Sequence, residues 1–448
     1  MSAGFILFLV TSAVALLLFL VLKLKISAFI SLLITAIYVG LLSGMAPEAV
    51  LKSIQEGMGS TLGFVATVVG LGAIFGQILE TSGGAEALAH SLVRRFGQEK
   101  APWAMSLTGF LVAIPVFFDV GFIILVPIVY ALARDTRRSL LYYAIPLLAG
   151  LAATHTFVPP TPGPVAVADI INVQLGWVIL FGLLLGIPTT ILAGPVWGRY
   201  ISGKIFLPAP GEPPEESSPS ELPSFGLIAS LIGVPLFLIL LNTLTGVLVD
   251  KDILGVSLLT TAIRFLGHPF TALIIATLLA IWLLGLRRGM TRQAILELSN
   301  KALGPAGLII LITGAGGVLK QILVDSGMGK MMAESMAGSS LSPIFLAWLL
   351  AAVVRITQGS ATVAMITAAG IIAPVLQLLN LSDPLRALVV IAIASGATIL
   401  SHVNDSGFWL VGKYLGMNEK DTLRSWTVME TIIAVCGLVF ALLASLFF

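Results

Sequence analysis

Apolar runs long enough to cross a lipid bilayer recur along almost the whole of this chain, and they leave it few ways to fold. They lie at about Gly4–Leu22, Ile26–Gly44, Thr61–Leu79 and Trp177–Tyr200, then at Phe225–Val249, Pro269–Leu286, Leu303–Val324 and Thr427–Phe448. Only 10% of the residues are charged, where a soluble domain carries about 25%. The solvent for most of the chain is therefore lipid, in which every backbone polar group must find a partner inside the protein. That dictates an all-α polytopic membrane protein. A net charge of +2, with no basic cluster interleaved with aromatics, speaks against a nucleic-acid partner. The first run is followed, not preceded, by its basic residues Lys23 and Lys25. This is the pattern of a retained span with its N-terminus outside rather than of a secretory signal. The lone Cys436 excludes an intramolecular disulfide.

The chain also repeats itself. Gly72–Gly83 reads GAIFGQILETSG and Gly316–Gly327 reads GGVLKQILVDSG, with half of the positions identical. Thr154-His155 is matched further on by Ser401-His402. The order of apolar runs is the same on either side of a Pro-rich polar stretch. The division is residues 1–205 as a first transmembrane repeat, 206–223 as a cytoplasmic Pro/Glu/Ser-rich linker, and 224–448 as a second repeat. A duplicated, strongly apolar chain of this kind marks a secondary transporter with its substrate site at the repeat interface.

Each half contains two segments that are not clean spans. Pro102–Ala133 and Ser342–Leu379 are too long for one crossing and are interrupted by Phe118-Asp119-Val120-Gly121 and by Thr357–Thr362. Irregular backbone at membrane depth is tolerated only inside protein or beside a cavity. These segments read as re-entrant helical hairpins with polar tips, or as two spans joined by a very short turn. Ala144–Val158 runs into Pro159–Pro164 and resumes to about Leu175; Leu385–His402 runs into Asn404–Gly407 and resumes to about Leu415. Both read as broken helices, because proline removes a donor and clashes with the preceding turn.

Charge supports this layout. About five spans plus one hairpin per half put seventeen of the twenty-four Lys and Arg residues, among them Arg94, Arg95, Arg134, Arg138, Arg287 and Lys413, on the cytoplasmic side. Lys52, Lys251, Arg264, Lys330 and Arg386 fall outside. An odd number of crossings inverts the second half relative to the first, an arrangement used for alternating access.

Ionisable groups at membrane depth cost about 2.5–3.5 kcal/mol each on insertion scales and need a reason to be there. Asp119, Arg355, His155, His402 and Asp405 stand out, all at tips or breaks. Arg355 suits a substrate carboxylate because its fork engages both oxygens; the plainer reading is a clamp on carbonyls or an acidic neighbour. Asp119, among Phe117, Phe118, Val120 and Phe122, reads as a proton carrier or as an N-cap for the returning helix. His402 suits proton coupling, with Asp405 orienting it or capping the next half-helix. A metal site is disfavoured by the scarcity of His and Cys, and a Ser401-His402-Asp405 relay by its residues being neighbours on one segment. No cofactor is expected. The tip Thr357–Thr362 offers hydroxyls and an amide suited to a polyol. Gln77 and Gln321 are expected to bond between helices.

Four words, FFDVGF around Asp119, THTFVPPTPGP at Thr154–Pro164, TQGSATVA at Thr357–Ala364 and SHVNDSGFW at Ser401–Trp409, run in order over nearly the whole chain. On these words the chain resembles the gluconate permease family of proton symporters, within the wider ion-transporter superfamily. The resemblance implies import of gluconate or a related sugar acid with protons. It also implies a multi-pass homodimer of the bacterial inner membrane, whose hairpins and broken helices move against a scaffold of outer spans. Matched onto these words, the substrate-binding candidates are Asp119, Thr154, His155, Thr161, Gly163, Arg355, Gln358, Gly359, Ser360, Thr362, Asn404 and Ser406. The proton-coupling candidates are Asp119, His402 and Asp405. One position departs from the pattern: the family often carries His where Thr161 stands, so a possible charged partner is missing. Sodium-coupled branches of the superfamily carry Ser-Asn-Thr at the hairpin tips, and neither tip here does, which favours protons. The other readings are a carrier or exchanger for another small hydroxy or amino acid, such as glycerate or D-serine, a passive channel, and an intramembrane enzyme. The enzyme reading lacks a nucleophile–base or metal constellation.

Overall fold

The computed structural model describes residues 3–210, 222–328 and 342–448. Most of the linker, residues 211–221, and Lys330 lie outside these. Among the described residues eight helices are long and apolar enough to cross a membrane, and no strand is present. Every expected span is a helix, from Ala3–Leu18 to Glu419–Ser445.

The two helices that carry the repeated words are longer than the apolar runs suggested: Pro47–Thr81 and Arg292–Asp325. Residues 47–60, expected in an outer loop, are instead the helical start of the first of these. Pro47 stands at the first helical position, where its missing N–H costs nothing. At 1.5 Å per residue the helix is about 52 Å long, well beyond an apolar core of about 30 Å. The pair pack against each other. They approach so closely because of glycine: a Cβ on Gly57 would stand 2.7 Å from the Gly317 carbonyl oxygen. Small residues are how helices associate tightly where lipid supplies no hydrophobic drive. Gln77 and Gln321, expected to bond between helices, instead bond along their own: Gln77 to Glu80 at 3.2 Å and Gln321 to Asp325 at 3.0 Å.

Both interrupted segments are pairs of helices. The first runs Ala101–Val112 and Phe118–Thr136, so its break falls at residues 113–117 and not at Phe118–Gly121. Pro115 is the cause, since it withholds a donor and pushes its predecessor out of the helical region. Asp119 therefore lies in the first turn of the returning helix. The second runs Pro343–Gln358 and Ala361–Leu378, with only Gly359 and Ser360 between.

The broken helices also sit differently in detail. The first is Leu141–Phe157 followed by Pro162–Ile171. Pro162 and Pro164, expected in the break, fall in the opening turn of the second piece, where no intrahelical donor is needed. The second is Asp383–Gly396 followed by Ser406–Leu415, so its first piece ends before His402. Of these pieces Leu141–Phe157, Pro162–Ile171, Ala361–Leu378 and Asp383–Gly396 are mostly buried, whereas Phe118–Thr136 and Pro343–Gln358 keep exposed faces. Of an 18-residue apolar window within Leu141–Ile171, 89% is buried inside the protein, against 33% of such a window in the outer helix Phe225–Asp250.

Contacts between helix ends and loops tie distant parts of the chain together. Tyr130 donates to the Tyr414 carbonyl at 2.5 Å, Ser139 to Ile205 at 3.0 Å and Trp197 to Ser425 at 3.1 Å; the Arg95 guanidinium lies over the Phe225 ring. A different set, Arg386 to the Asn172 carbonyl at 3.1 Å and Ser53 to Asp325 at 2.6 Å, joins residues expected at the opposite side.

Candidate functional site

The two hairpin tips, the last turns of Leu141–Phe157 and the second break converge on one cavity of about 590 Å³. Arg355 forms its charged centre. It lies in the last turn of Pro343–Gln358 and is only 3% exposed. The helix ends there because Gly359 takes φ +90°, a left-handed conformation that only glycine adopts cheaply, and its N–H closes on the Arg355 carbonyl at 2.9 Å. Ser360 then caps the returning helix by accepting from the Val363 N–H at 3.4 Å.

Helix ends leave carbonyls unpaired, and the second break supplies their donors. Asn404 donates to the carbonyls of Ile356 and Thr357 at 3.1 and 3.3 Å, and His402 Nε2 lies 2.9 Å from the Ile356 oxygen. Gly359 packs directly on the Asn404 backbone, leaving no room for a side chain. Hairpin tip and break are thus one unit.

Arg355 donates through Nη2 to Asp405 Oδ2 at 2.5 Å, a buried ion pair. The same oxygen accepts from Ser401 Oγ at 2.5 Å, and Ser401 in turn accepts from Trp426 Nε1 at 2.7 Å. The other carboxylate oxygen caps Ser406–Leu415 by accepting from the Gly407 N–H at 3.1 Å. Asp405 is the cap and the acidic neighbour of Arg355 at once. Nε and Nη1 of Arg355, in contrast, are buried without a protein partner. Only part of the guanidinium is clamped, and the rest is free for an anion.

Of the residues selected from sequence, Asp119, His155, Arg355, Gln358, Gly359, Ser360, Thr362, Asn404, Asp405 and Ser406 line this cavity. Asp119 does not cap its helix; Phe117 holds the cap position and makes no side-chain bond. His155 packs edge-on to Phe117, and its Nδ1 is buried without a partner, as is Gln358 Oε1. Thr154, Thr161, Gly163 and His402 do not reach the cavity. Thr154 is fully buried beside it; Thr161 donates to the Val158 carbonyl at 2.7 Å. Gly163 faces Met365 of the second hairpin, with the sulfur 2.9 Å from where a Cβ would stand. Ser401 bonds Asp405 directly while His402 turns to Ile356, so the three do not form a relay.

Sequence reasoning missed two contributors, Trp426 and Glu430, both on Glu419–Ser445 and both lining the cavity. Glu430 is 4% exposed. The signal was available: an acid in the final apolar helix meets the same criterion that selected Asp119.

An apolar bundle whose interrupted helices enclose a polar cavity, with a part-satisfied arginine at its centre, is a multi-pass membrane transporter. The model of the GntP family permeases matches residues 5–447. The chain is 43% identical over 433 residues to the low-affinity gluconate transporter of Escherichia coli (strain K12), covering 96% of each. It is 44% identical to the gluconate permease of Pseudomonas aeruginosa PAO1, over 95% of this chain and 94% of that protein. It is 40% identical to the Gnt-II system L-idonate transporter of E. coli K12, over 96% and 97%. Its fold resembles that of the YdaH transporter of Alcanivorax borkumensis, with a TM-score of 0.63 at 13% identity, over 92% of this chain and 96% of that one. The fold of MtrF from Neisseria gonorrhoeae is as similar, at TM-score 0.63. The chain belongs to the GntP permease family, and it is a secondary transporter rather than an enzyme.

Proposed function

We propose that the protein imports gluconate, or a closely related sugar acid, together with protons. The observation that carries this reading is the half-satisfied Arg355. Its Nη2 is held by Asp405, while Nε and Nη1, on two different edges of the guanidinium, are buried donors left for an anion. Gln358, Ser360, Thr362, Asn404 and Ser406 surround it with amides and hydroxyls for a polyol chain. A cavity of about 590 Å³ is within the usual range of about 300–1,000 Å³ for small-molecule sites. The names of the relatives point to the same chemistry. Thr161 does not touch the cavity, so the departure from the family word there acts on packing rather than on the substrate.

Among the acids selected from sequence for proton coupling, Asp119 alone keeps a carboxyl without a hydrogen-bonded partner while facing the cavity. Asp405 is committed to Arg355, Ser401 and Gly407, and His402 to the Ile356 carbonyl. Transport proceeds, in this reading, by movement of the hairpins and broken helices against the outer spans, in two inverted repeats of about five spans and one hairpin each, in a homodimer of the bacterial inner membrane. The bias of Lys and Arg toward the loops assigned to the cytoplasmic side supports the inversion.

The test is uptake into proteoliposomes with an imposed pH gradient, using labelled gluconate, L-idonate, glycerate and D-serine. Gluconate is expected to accumulate, and its C5 epimer idonate to compete. Accumulation of glycerate or D-serine in preference to either would reassign the substrate.

A further inference from the structure

Glu430 sits where a carboxyl group is hardest to justify by packing alone. It lies near the middle of the terminal helix Glu419–Ser445, 4% exposed, and its Oε1 has no hydrogen-bonded partner. Its position is fixed from behind, because its backbone carbonyl accepts from Thr398 Oγ1 at 3.3 Å. The side chain lines the same cavity as Arg355 and interacts electrostatically with both Arg355 and Asp405. Of the titratable groups on elements packed against this helix, Arg355, Asp405 and His155 line the cavity with it, and Asp119 joins them from the first hairpin. An unpaired polar group in such a place costs free energy, so a role is needed.

Charge accounting supplies one. Arg355 gives the cluster one positive charge, and Asp405 already balances it. Glu430 and a substrate carboxylate then compete for the guanidinium donors that Asp405 leaves open, on Nε and on Nη1. We propose that Glu430 carries the co-transported proton and thereby switches Arg355 between substrate and protein. Protonated on the side of uptake, the carboxylate becomes a neutral acid and leaves the guanidinium to the sugar acid. When the proton leaves to the cytoplasmic side, the carboxylate re-forms and its charge engages the open edge of the Arg355 guanidinium, displacing the substrate. One proton enters and one leaves per turnover, and no other bond is made or broken. Asp119, facing the cavity from the first hairpin, is then the acid through which that proton exchanges with water. This inference rests on the sugar-acid reading above, and it adds the residue that couples the two fluxes.

The experiment compares the purified protein with Glu430→Gln in proteoliposomes, by two assays. In the first, labelled gluconate exchanges for unlabelled gluconate at equal pH on both sides. In the second, a pH gradient drives accumulation, which reaches about tenfold per coupled proton for each unit of gradient. Glu430→Gln mimics the neutral acid, so exchange should persist at a reduced but measurable rate. Accumulation should fall to the ratio given by equilibration, and external pH should no longer modulate gluconate binding. A merely structural glutamate would lower both assays together and leave the pH profile of the remaining activity unmoved. Either that result or gradient-driven accumulation by Glu430→Gln overturns the proposal. Should Glu430→Gln not yield monodisperse protein, Glu430→Asp carries the test: it keeps a titrating group in an altered position, so coupling should persist with a displaced pH profile. A profile superimposable on that of the unsubstituted protein would overturn it. The two failures separate cleanly, because uptake by the unsubstituted protein tests the sugar-acid reading, and only the difference between proteins tests Glu430.

Discussion

Arg355 shows how a costly residue acquires two functions. One nitrogen holds the second break in place through Asp405, and two others remain for an anion. Arg355→Lys keeps the charge and can still meet Asp405, but a point ammonium cannot fill the fork. Losing one charge-assisted pair should cost about 1.5–3 kcal/mol, or roughly ten- to a hundredfold in affinity for gluconate. A neutral polyol analogue should lose far less. Calorimetry on monodisperse Arg355→Lys protein decides this, and unchanged affinity for the sugar acid would reject the carboxylate role. Asp405 makes the opposite prediction. Asp405→Ala leaves a buried guanidinium without its partner and removes a helix cap, so it should destabilise by about 3–5 kcal/mol. Asp119→Asn breaks no hydrogen bond and should stay within about 0.5 kcal/mol of the unsubstituted protein. Thermal unfolding in detergent, compared across the two variants, checks the contrast. The sequence pointed to Arg355, Asp119 and Asp405 because each is charged where charge is expensive. It passed over Glu430 because a helix without a break drew no scrutiny, although the same criterion applies to it.

Between elements, the second tip and the second break are welded together. Gly359 at φ +90° lies directly on the Asn404 backbone, while Asn404 and His402 satisfy the carbonyls that the tip leaves open. Gly359→Ala should therefore cost about 1–3 kcal/mol from the backbone conformation, with displacement of Asn404 in addition. Gluconate uptake and melting temperature should fall together; a variant with normal values for both would show that the tip is not held as described. That glycine was legible as a close-approach point, but His402 was read for its titration and serves here as a donor to a carbonyl. The apolar runs located the spans, yet they missed the helices Gly84–Phe96 and Leu258–Leu266 and misplaced the breaks. Proline-rich words look uniformly helix-breaking, whereas Pro162 and Pro164 are accommodated in an opening turn and Pro115, a single residue, does the interrupting. The lengths of Pro47–Thr81 and Arg292–Asp325 were illegible for another reason. Their polar starts continue as helix outside the apolar run, where hydropathy carries no signal.

At the scale of the whole molecule, the two longest helices pack against each other, and both hairpin tips and the second break surround one cavity. Inversion of the halves predicts that Lys52 and Lys204 face opposite sides of the membrane. Ser53 is unsuitable as a probe because it is buried against Asp325, whereas the Lys52 side chain is 75% exposed. In a Cys436→Ala background, Lys52→Cys should react with an impermeant maleimide from outside and Lys204→Cys only after permeabilisation. Reaction of both from one side would refute the inversion. The central claim is that a proton gradient drives a sugar acid through this cavity. Its most direct test is labelled gluconate uptake into sodium-free proteoliposomes of the purified protein, acidic outside. The account predicts accumulation above the external concentration that collapses on adding a protonophore. Uptake that merely equilibrates, or that requires a sodium gradient, would contradict it.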